Sequence, residues 1–295
     1  VREQEALLSK HKKGKSMIKN KHSILSVDSN PDYLFFVPMT CAFWKEIGYK
    51  PYVILVDTGI DPEMRELVFK TTEEVGGHIE VLEHIEGYRT CNVAQISRLY
   101  AAASPHFKDD DYLLTDDMDK FVIDYMWFNQ QNANKDIHIY DPDELDHKRL
   151  KIGNIGMKAS VWKEIIGISD GSIRDNLIEC FDKYLSKDSD WTTGWNLDEW
   201  ILTSSVFKSR YYPENCQNFE RGGNKWGVRN GRICRGAWDQ TFDICMSTKI
   251  IDVHLHRDPY KGKVWDDTVS IMRRVFPPDQ VEKFIDYKEK FIELM

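Results

Sequence analysis

Short apolar runs alternate with amphipathic stretches over the first 115 residues, and this alternation predicts repeated strand-helix units. Ile24-Leu25-Ser26-Val27 reads as a strand ending at Asp28-Ser29-Asn30-Pro31, and a helix-like stretch from Tyr33 to Ile47 stops at Gly48. Tyr52 to Val56 is uniformly apolar, as a strand covered on both faces should be, and it ends at Asp57-Thr58-Gly59. Asp61 caps and Pro62 starts a helix whose stripe is Met64, Leu67, Val68 and Val75, closed by Gly76-Gly77. Ile79 to Leu82 is a third strand. Val93, Ile96, Leu99, Tyr100 and Ala103 mark a further helix, broken by Pro105, and Tyr112 to Thr115 is the next strand.

Units of this length imply an α/β fold: a single domain with a mostly parallel central sheet, right-handed crossovers and flanking helices. Such sheets bind ligands beyond the carboxyl ends of their strands. Asp28, Asp57 and the run Asp117 to Asp119 are therefore expected along one edge. Acidic strand ends gathered in one crevice repel one another unless a cation or ligand donors sit among them. Residues 1–22 read as a basic lead-in, 23–150 as the regular half of one domain, and 151–295 as a less regular, tryptophan-rich half.

Charge and cysteine content narrow the function. A net charge of -8 over 295 residues argues against a general nucleic-acid binder. The local exception is Lys10, Lys12, Lys13, Lys15, Lys19 and Lys21 with His11 and His22, read as a solvated lead-in. Six cysteines form no CxxC pair, so free thiols in a reducing compartment are expected. The sequence carries no apolar run of the ~18 residues that span a bilayer, and no signal-peptide pattern opens it. The expectation is a cytoplasmic protein with no transmembrane segment. Its oligomeric state is not legible.

The chemistry-bearing motif is Leu113-Leu114-Thr115-Asp116-Asp117-Met118-Asp119, an apolar strand that ends in Asp-x-Asp. Two carboxylates two residues apart share a strand face and can hold a hard divalent cation against a diphosphate, with Asp116 turned to the opposite face. HExxH, GxxxxGK[ST] and GxGxxG signatures are absent. An aspartyl phosphatase of the DxDx(T/V) type would need Thr or Val where Phe121 stands. Late in the chain, His254 and His256 are two apart on an expected strand, with His256 nearer its end, and an imidazole ligand would favour manganese over magnesium.

This pattern resembles the metal-dependent nucleotide-sugar glycosyltransferases of the GT-A fold, over roughly residues 23 to 265. Ile96-Ser97-Arg98-Leu99-Tyr100 followed by the Asp-x-Asp strand looks like the arrangement in the retaining family that includes glycogenin. Ile152-Gly153-Asn154-Ile155-Gly156-Met157 resembles that fold's donor-sugar strand, with Val161-Trp162-Lys163-Glu164 in the helix after it. Trp195-Asn196-Leu197-Asp198-Glu199-Trp200 resembles its acidic segment beside the reacting carbon. Asp252 to Arg257 with Lys261 and Lys263 resembles its late histidine and diphosphate lysine. Ser26 to Pro31 with Phe35 to Pro38 is also similar to glycosyltransferases encoded by large algal (chlorella) viruses.

The resemblance implies transfer of a sugar from a UDP-sugar to a carbohydrate or glycoconjugate acceptor, with Mn2+ or Mg2+ and retention of configuration. Residues 23–150 become the nucleotide-sugar-binding half and 151–295 the acceptor-binding half. Asp117 and Asp119 are expected on the metal, with His254 or His256 completing its shell. Val27 and Asp28 are expected at the uracil, Asp57 at the base or ribose, Arg98, Lys261 and Lys263 on the phosphates, and Asn154 on the donor sugar. Asp198 and Glu199 are the catalytic candidates, as a base or as stabilisers of positive charge at the anomeric carbon. Two alternatives share the sheet. A sugar-phosphate nucleotidyltransferase usually carries a Gly-rich first turn, where this chain has Asp28-Ser29-Asn30-Pro31. A catalytically inactive sugar- or nucleotide-binding protein is the other.

Overall fold

The computed structural model describes residues 18–140, 149–185, 194–221, 231–238, 242–243, 246, 249–257 and 259–295. Most of the basic lead-in, together with Trp191, Trp226 and Cys245, lies outside the described residues.

Seven strands form the central sheet: β1 Lys21–Asp28, β2 Lys50–Asp57, β3 His78–Glu83, β4 Tyr112–Thr115, β6 Ile137–Tyr140, β7 Ile155–Lys158 and β8 Cys216–Phe219, in the order β3-β2-β1-β4-β7-β6-β8. β7 alone runs against its neighbours β4 and β6, and every other pairing is parallel. The expected mostly parallel α/β sheet is therefore present. A second, three-stranded sheet joins β5 Lys120–Val122, β10 Asp252–His254 and β9 Arg232–Ile233, in the order β5-β10-β9.

The uniformly apolar strands feed two cores, one on each face. Leu25, Val27, Val53, Leu55 and Leu114 belong to a cluster that reaches the helices Val37–Glu46, Gly262–Val275 and Pro278–Glu293. Their neighbours Ile24, Tyr52, Ile54, Val56 and Leu113 pack instead with Val93, Leu99, Trp162, Leu177 and Leu202 from the opposite helix layer. Strand alternation alone separates the two sets. The C-terminal helices return to the first half of the chain, where Tyr287 stacks on Phe35 with ring centroids 5.7 Å apart.

Three local expectations change. The stretch from Tyr33 to Ile47 is two helices, Pro31–Leu34 and Val37–Glu46, because Pro38 has no N–H to give to a continuous turn and sits in the first turn of the second helix. The helix that begins at Thr90 tightens into a 3-10 turn over Arg98–Ala103. The first strand begins at Lys21, so the end of the lead-in is already in the sheet. Asp61 caps its helix as expected, accepting from the backbone N–H of Glu63 and Met64 at 2.9 and 3.2 Å.

Cys41, Cys91, Cys180, Cys216 and Cys234 are free thiols. Trp238 and Trp265 are buried, whereas Trp195 and Trp200 are exposed. Among the described residues no helix is long and apolar enough to cross a membrane.

Candidate active site

The chain lays β2 and β3 on one side of β1 and then crosses to lay β4 on the other. Off the carboxyl ends of β1 and β4, at that switch of strand order, opens a cavity of about 520 Å3. β1 contributes Val27 and Asp28, the helix and turn from Thr90 contribute Arg98, and residues 116–119 contribute Asp117 and Asp119. The first turn of the helix Leu197–Lys208 adds Asp198 and Glu199, and the small sheet adds His254 with His256 just beyond it. Two distant stretches of sequence thus meet at one sheet edge.

β4 ends at Thr115 and β5 begins at Lys120, so Asp117 and Asp119 sit in the link between the two sheets and not on a strand. The turn, rather than strand alternation, brings both to the cavity. Asp116 points away from it, as expected: it is buried, pairs with Lys120 and accepts the backbone N–H of Asp117 at 2.8 Å. Burial pushes its carboxyl up to about 7, against the pull of Lys120. Lys120 also donates to Gly153 O at 2.9 Å and to Asn154 Oδ1 at 2.6 Å, tying the link to the segment ahead of β7.

Arg98 organises the floor. Its buried guanidinium donates to Asp116 O at 2.9 Å, Asp117 Oδ1 at 2.6 Å and Asp198 Oδ2 at 3.3 Å, a planar fork bridging carboxylates 81 residues apart in the chain (198 − 117). Burial works against ionisation of Asp117, but Arg98 and then Lys120 hold its carboxyl well below the usual range. Asp198 is more deeply buried; desolvation raises it to about 6 in spite of Arg98. Glu199 pairs with Arg149 at 3.0 Å.

On the opposite wall Arg235 pairs with Asp119 and donates from Nε to Leu255 O at 2.9 Å. His254 Nε2 stands 3.7 Å from Asp119 Oδ1. Burial and then the nearby Arg235 lower His254 to about 3, so its imidazole is neutral at neutral pH. β10 ends at His254, and the ring of His256 turns to Arg257 O at 2.5 Å. Of the two histidines, His254 is the one beside Asp119, contrary to the expectation that the later residue lies nearer the strand end.

β10 is anchored by a buried ion triad. Asp252 accepts from Arg221 at 2.9 and 2.5 Å and from Arg232 at 2.8 and 3.0 Å. Burial alone would raise Asp252, but the two guanidiniums hold it well below the usual range.

Four expected residues do not line the cavity. Asp57 closes its own turn, accepting from Gly59 and Ile60 N–H at 2.8 and 3.1 Å and pairing with Arg65 at 2.9 Å. That is the ordinary role of a strand-end aspartate. Asn154 is buried with its carbonyl oxygen on Lys120. Lys263 pairs with Asp267 at 2.5 Å along its own helix, and Lys261 lies at that helix's N-terminus near the Tyr260 ring. The guanidiniums that line the cavity are Arg98, Arg235 and Arg257. Neither Arg235, Arg257 nor Lys120 was singled out from the sequence.

Among the described residues the lining carries six carboxylates (Asp28, Asp32, Asp117, Asp119, Asp198, Glu199) against three guanidiniums, an excess of negative charge that favours a cation. Among the described residues, however, no three His, Cys, Asp or Glu side chains already stand together as a metal shell. Asp119 and His254 fit as two hard-to-borderline donors, with Asp117 across the floor.

Gly153 packs against Asp117: a Cβ there would lie 2.6 Å from Asp117 Oδ2. Gly153→Ala is expected to push this carboxylate off the Arg98 guanidinium and to lower folding stability by about 1–2 kcal/mol. A denaturant melt checks it; unchanged stability would mean that Asp117 gives way without losing Arg98.

No family model and no curated protein matches the chain. Among solved structures it is similar to the galactosyltransferase LgtC in complex with donor and acceptor sugar analogues, at 14% identity over 89% of this chain and 99% of that one, TM-score 0.46. It is also similar to the apo form of the glycosyltransferase GlyE of Streptococcus pneumoniae, at 14% identity over 93% of this chain and 60% of that one, TM-score 0.48. A third is the apo bifunctional glycosyltransferase WbbM, at 10% identity over 89% and 51%, TM-score 0.42. The chain spans less than two thirds of the GlyE and WbbM chains. Likeness at this level assigns no activity.

Proposed function

We propose that the chain is a glycosyltransferase of the GT-A type, moving a sugar from a UDP-sugar to a carbohydrate or glycoconjugate acceptor with retention of configuration and with Mn2+ or Mg2+ bound. The observation that carries this is the meeting of four side chains in one cavity at the strand-order switch, Asp117 and Asp198 on Arg98 and Asp119 beside His254.

Asp119 and His254 would hold the divalent ion, with Asp117 beside them. The ion would supply neutralising charge to the departing diphosphate. Val27 and Asp28 are suited to the nucleoside, and Arg257 with Arg235 to the phosphates. Asp198 has both oxygens engaged, Oδ1 by Glu199 N–H at 2.8 Å and Oδ2 by Arg98. A carboxylate so occupied serves better as a fixed negative charge beside the anomeric carbon than as an acceptor of the attacking hydroxyl's proton, which supports retention. Exposed Trp195 at the rim offers an aromatic face to an acceptor sugar.

Burial raises Asp198, so its negative charge is present above about pH 6 and is lost as pH falls through that value. kcat/KM is expected to fall on the acid side with a limb near pH 6; a profile flat down to pH 5 would remove Asp198 from the charge-stabilising role.

Product analysis tests the reading itself. Release of UDP from a UDP-sugar with Mn2+ supports it. Pyrophosphate from UTP and a sugar 1-phosphate would favour a nucleotidyltransferase instead. UDP binding without turnover would leave an inactive binding protein, and the absence of both turnover and UDP binding would overturn the proposal.

A further inference from the structure

The two guanidiniums that hold the Asp-x-Asp carboxylates differ in how they are held. Arg98 is buried, 6% exposed, and its hydrogen bonds go to Gln95 O, Asp116 O, Asp117 and Asp198. Moving it would strand the Asp198 carboxylate, 3% exposed, in the interior and free Asp117 from the bridge. Arg235 stands on a 3-10 turn, with 23% of its side chain exposed at the cavity wall. It meets Asp119 Oδ2 and Leu255 O. On the other oxygen of that carboxylate His254 Nε2 is 3.7 Å away. The nearest pair of metal donors in the cavity is therefore already shared with a resident monovalent cation.

We infer that Arg235 is a displaceable counter-ion of Asp119, which competes with the divalent ion for this carboxylate and, once moved aside, becomes a ligand of the donor's diphosphate. The inference rests on the metal-dependent reading above. A guanidinium and a divalent ion on one carboxylate repel each other at a few ångströms, so binding of either weakens the other. Arg235 is the one of the two able to move. Its planar fork then faces a cavity whose anionic occupant offers paired oxygens. The same exchange gives an order of events: ion first, diphosphate after.

The test titrates Mn2+ alone, without nucleotide, following free Mn2+ by electron paramagnetic resonance, into the full chain and its variants. Arg235→Gln is expected to bind Mn2+ about tenfold more tightly than the wild type, and Arg235→Lys, which keeps the charge, to stay close to it. With Mn2+ saturating, Arg235→Gln is then expected to bind UDP about tenfold more weakly. If the wild type binds Mn2+ and Arg235→Gln binds it equally or less tightly while its circular dichroism is unchanged, the competition is overturned and the metal reading stands. Unchanged UDP affinity would overturn the diphosphate contact. If neither wild type nor Arg235→Gln binds Mn2+, the inference and the metal reading fall together.

Discussion

Arg98→Met is expected to lose about 3–5 kcal/mol of folding stability and, with it, all of the sugar transfer proposed above. The side chain of Arg98 is almost inaccessible to water and neutralises Asp117 and Asp198 together, the latter within an environment that already disfavours its charge. Methionine fills the stem's space and supplies no charge, so two carboxylates remain with no cation between them. The chain can protonate Asp198 or swell to admit water, and either response dismantles the floor of the cavity. Arg98→Lys keeps one charge but not the fork, and should hold one carboxylate at the expense of the other. Denaturant melts give the first number. Asp198→Asn in the Arg98→Met background should recover part of the stability, since it removes one stranded charge. Simple additivity of the two losses would contradict the bridge.

Asp252→Asn is the second large effect, expected at about 3–5 kcal/mol. One carboxylate receives four hydrogen bonds from Arg221 and Arg232 with its side chain inaccessible to solvent. Asparagine keeps the shape but removes the charge that the two buried guanidiniums share. The effect reaches the cavity because His254 lies two residues further along β10, whose pairing to β5 also fixes the end of the Asp-x-Asp link. The folded-state carboxyl is held well below its unfolded value. Its stabilisation is therefore fully present above an unfolded pKa of about 3.9 and is lost as pH falls below it. The gap between wild type and Asp252→Asn in urea melts should be constant from pH 7 to 5 and narrow in stronger acid. A gap independent of pH down to 2 would mean that packing, not charge, holds the triad.

Much of this fold was legible because its signals are local. Apolar strands of four to eight residues, the Asp61-Pro62 start and the closing glycines need only near neighbours in sequence, and each has its counterpart in the sheet and helices. Placing Asp28, Asp117 and Asp119 at one cavity needed only the rule that ligands bind at carboxyl ends of parallel strands. What was not legible depends on contacts between distant segments. Lys120 reads as one more charge until Gly153 and Asn154, more than 30 residues away, are seen to accept from it. Arg235 has no local pattern, since its partner Asp119 precedes it by over a hundred residues. Asp57 shows the reverse failure: its motif matches Asp28 in position, yet its turn takes one oxygen and Arg65 of the next helix the other. The histidines differ by where β10 stops, and strand ends are the least sharply written feature of a sequence.

Calorimetric titration of UDP with Mn2+ present, into the wild type and into Asp119→Ala, tests the role assigned to the cavity most directly. The wild type should bind, and should lose that binding when the metal is chelated. Asp119→Ala should weaken it by about 3 kcal/mol, on the order of 100-fold, because a charged ligand at the centre of the site is gone. Manganese-dependent binding of undiminished strength in Asp119→Ala would show that these are the wrong carboxylates and would contradict the account.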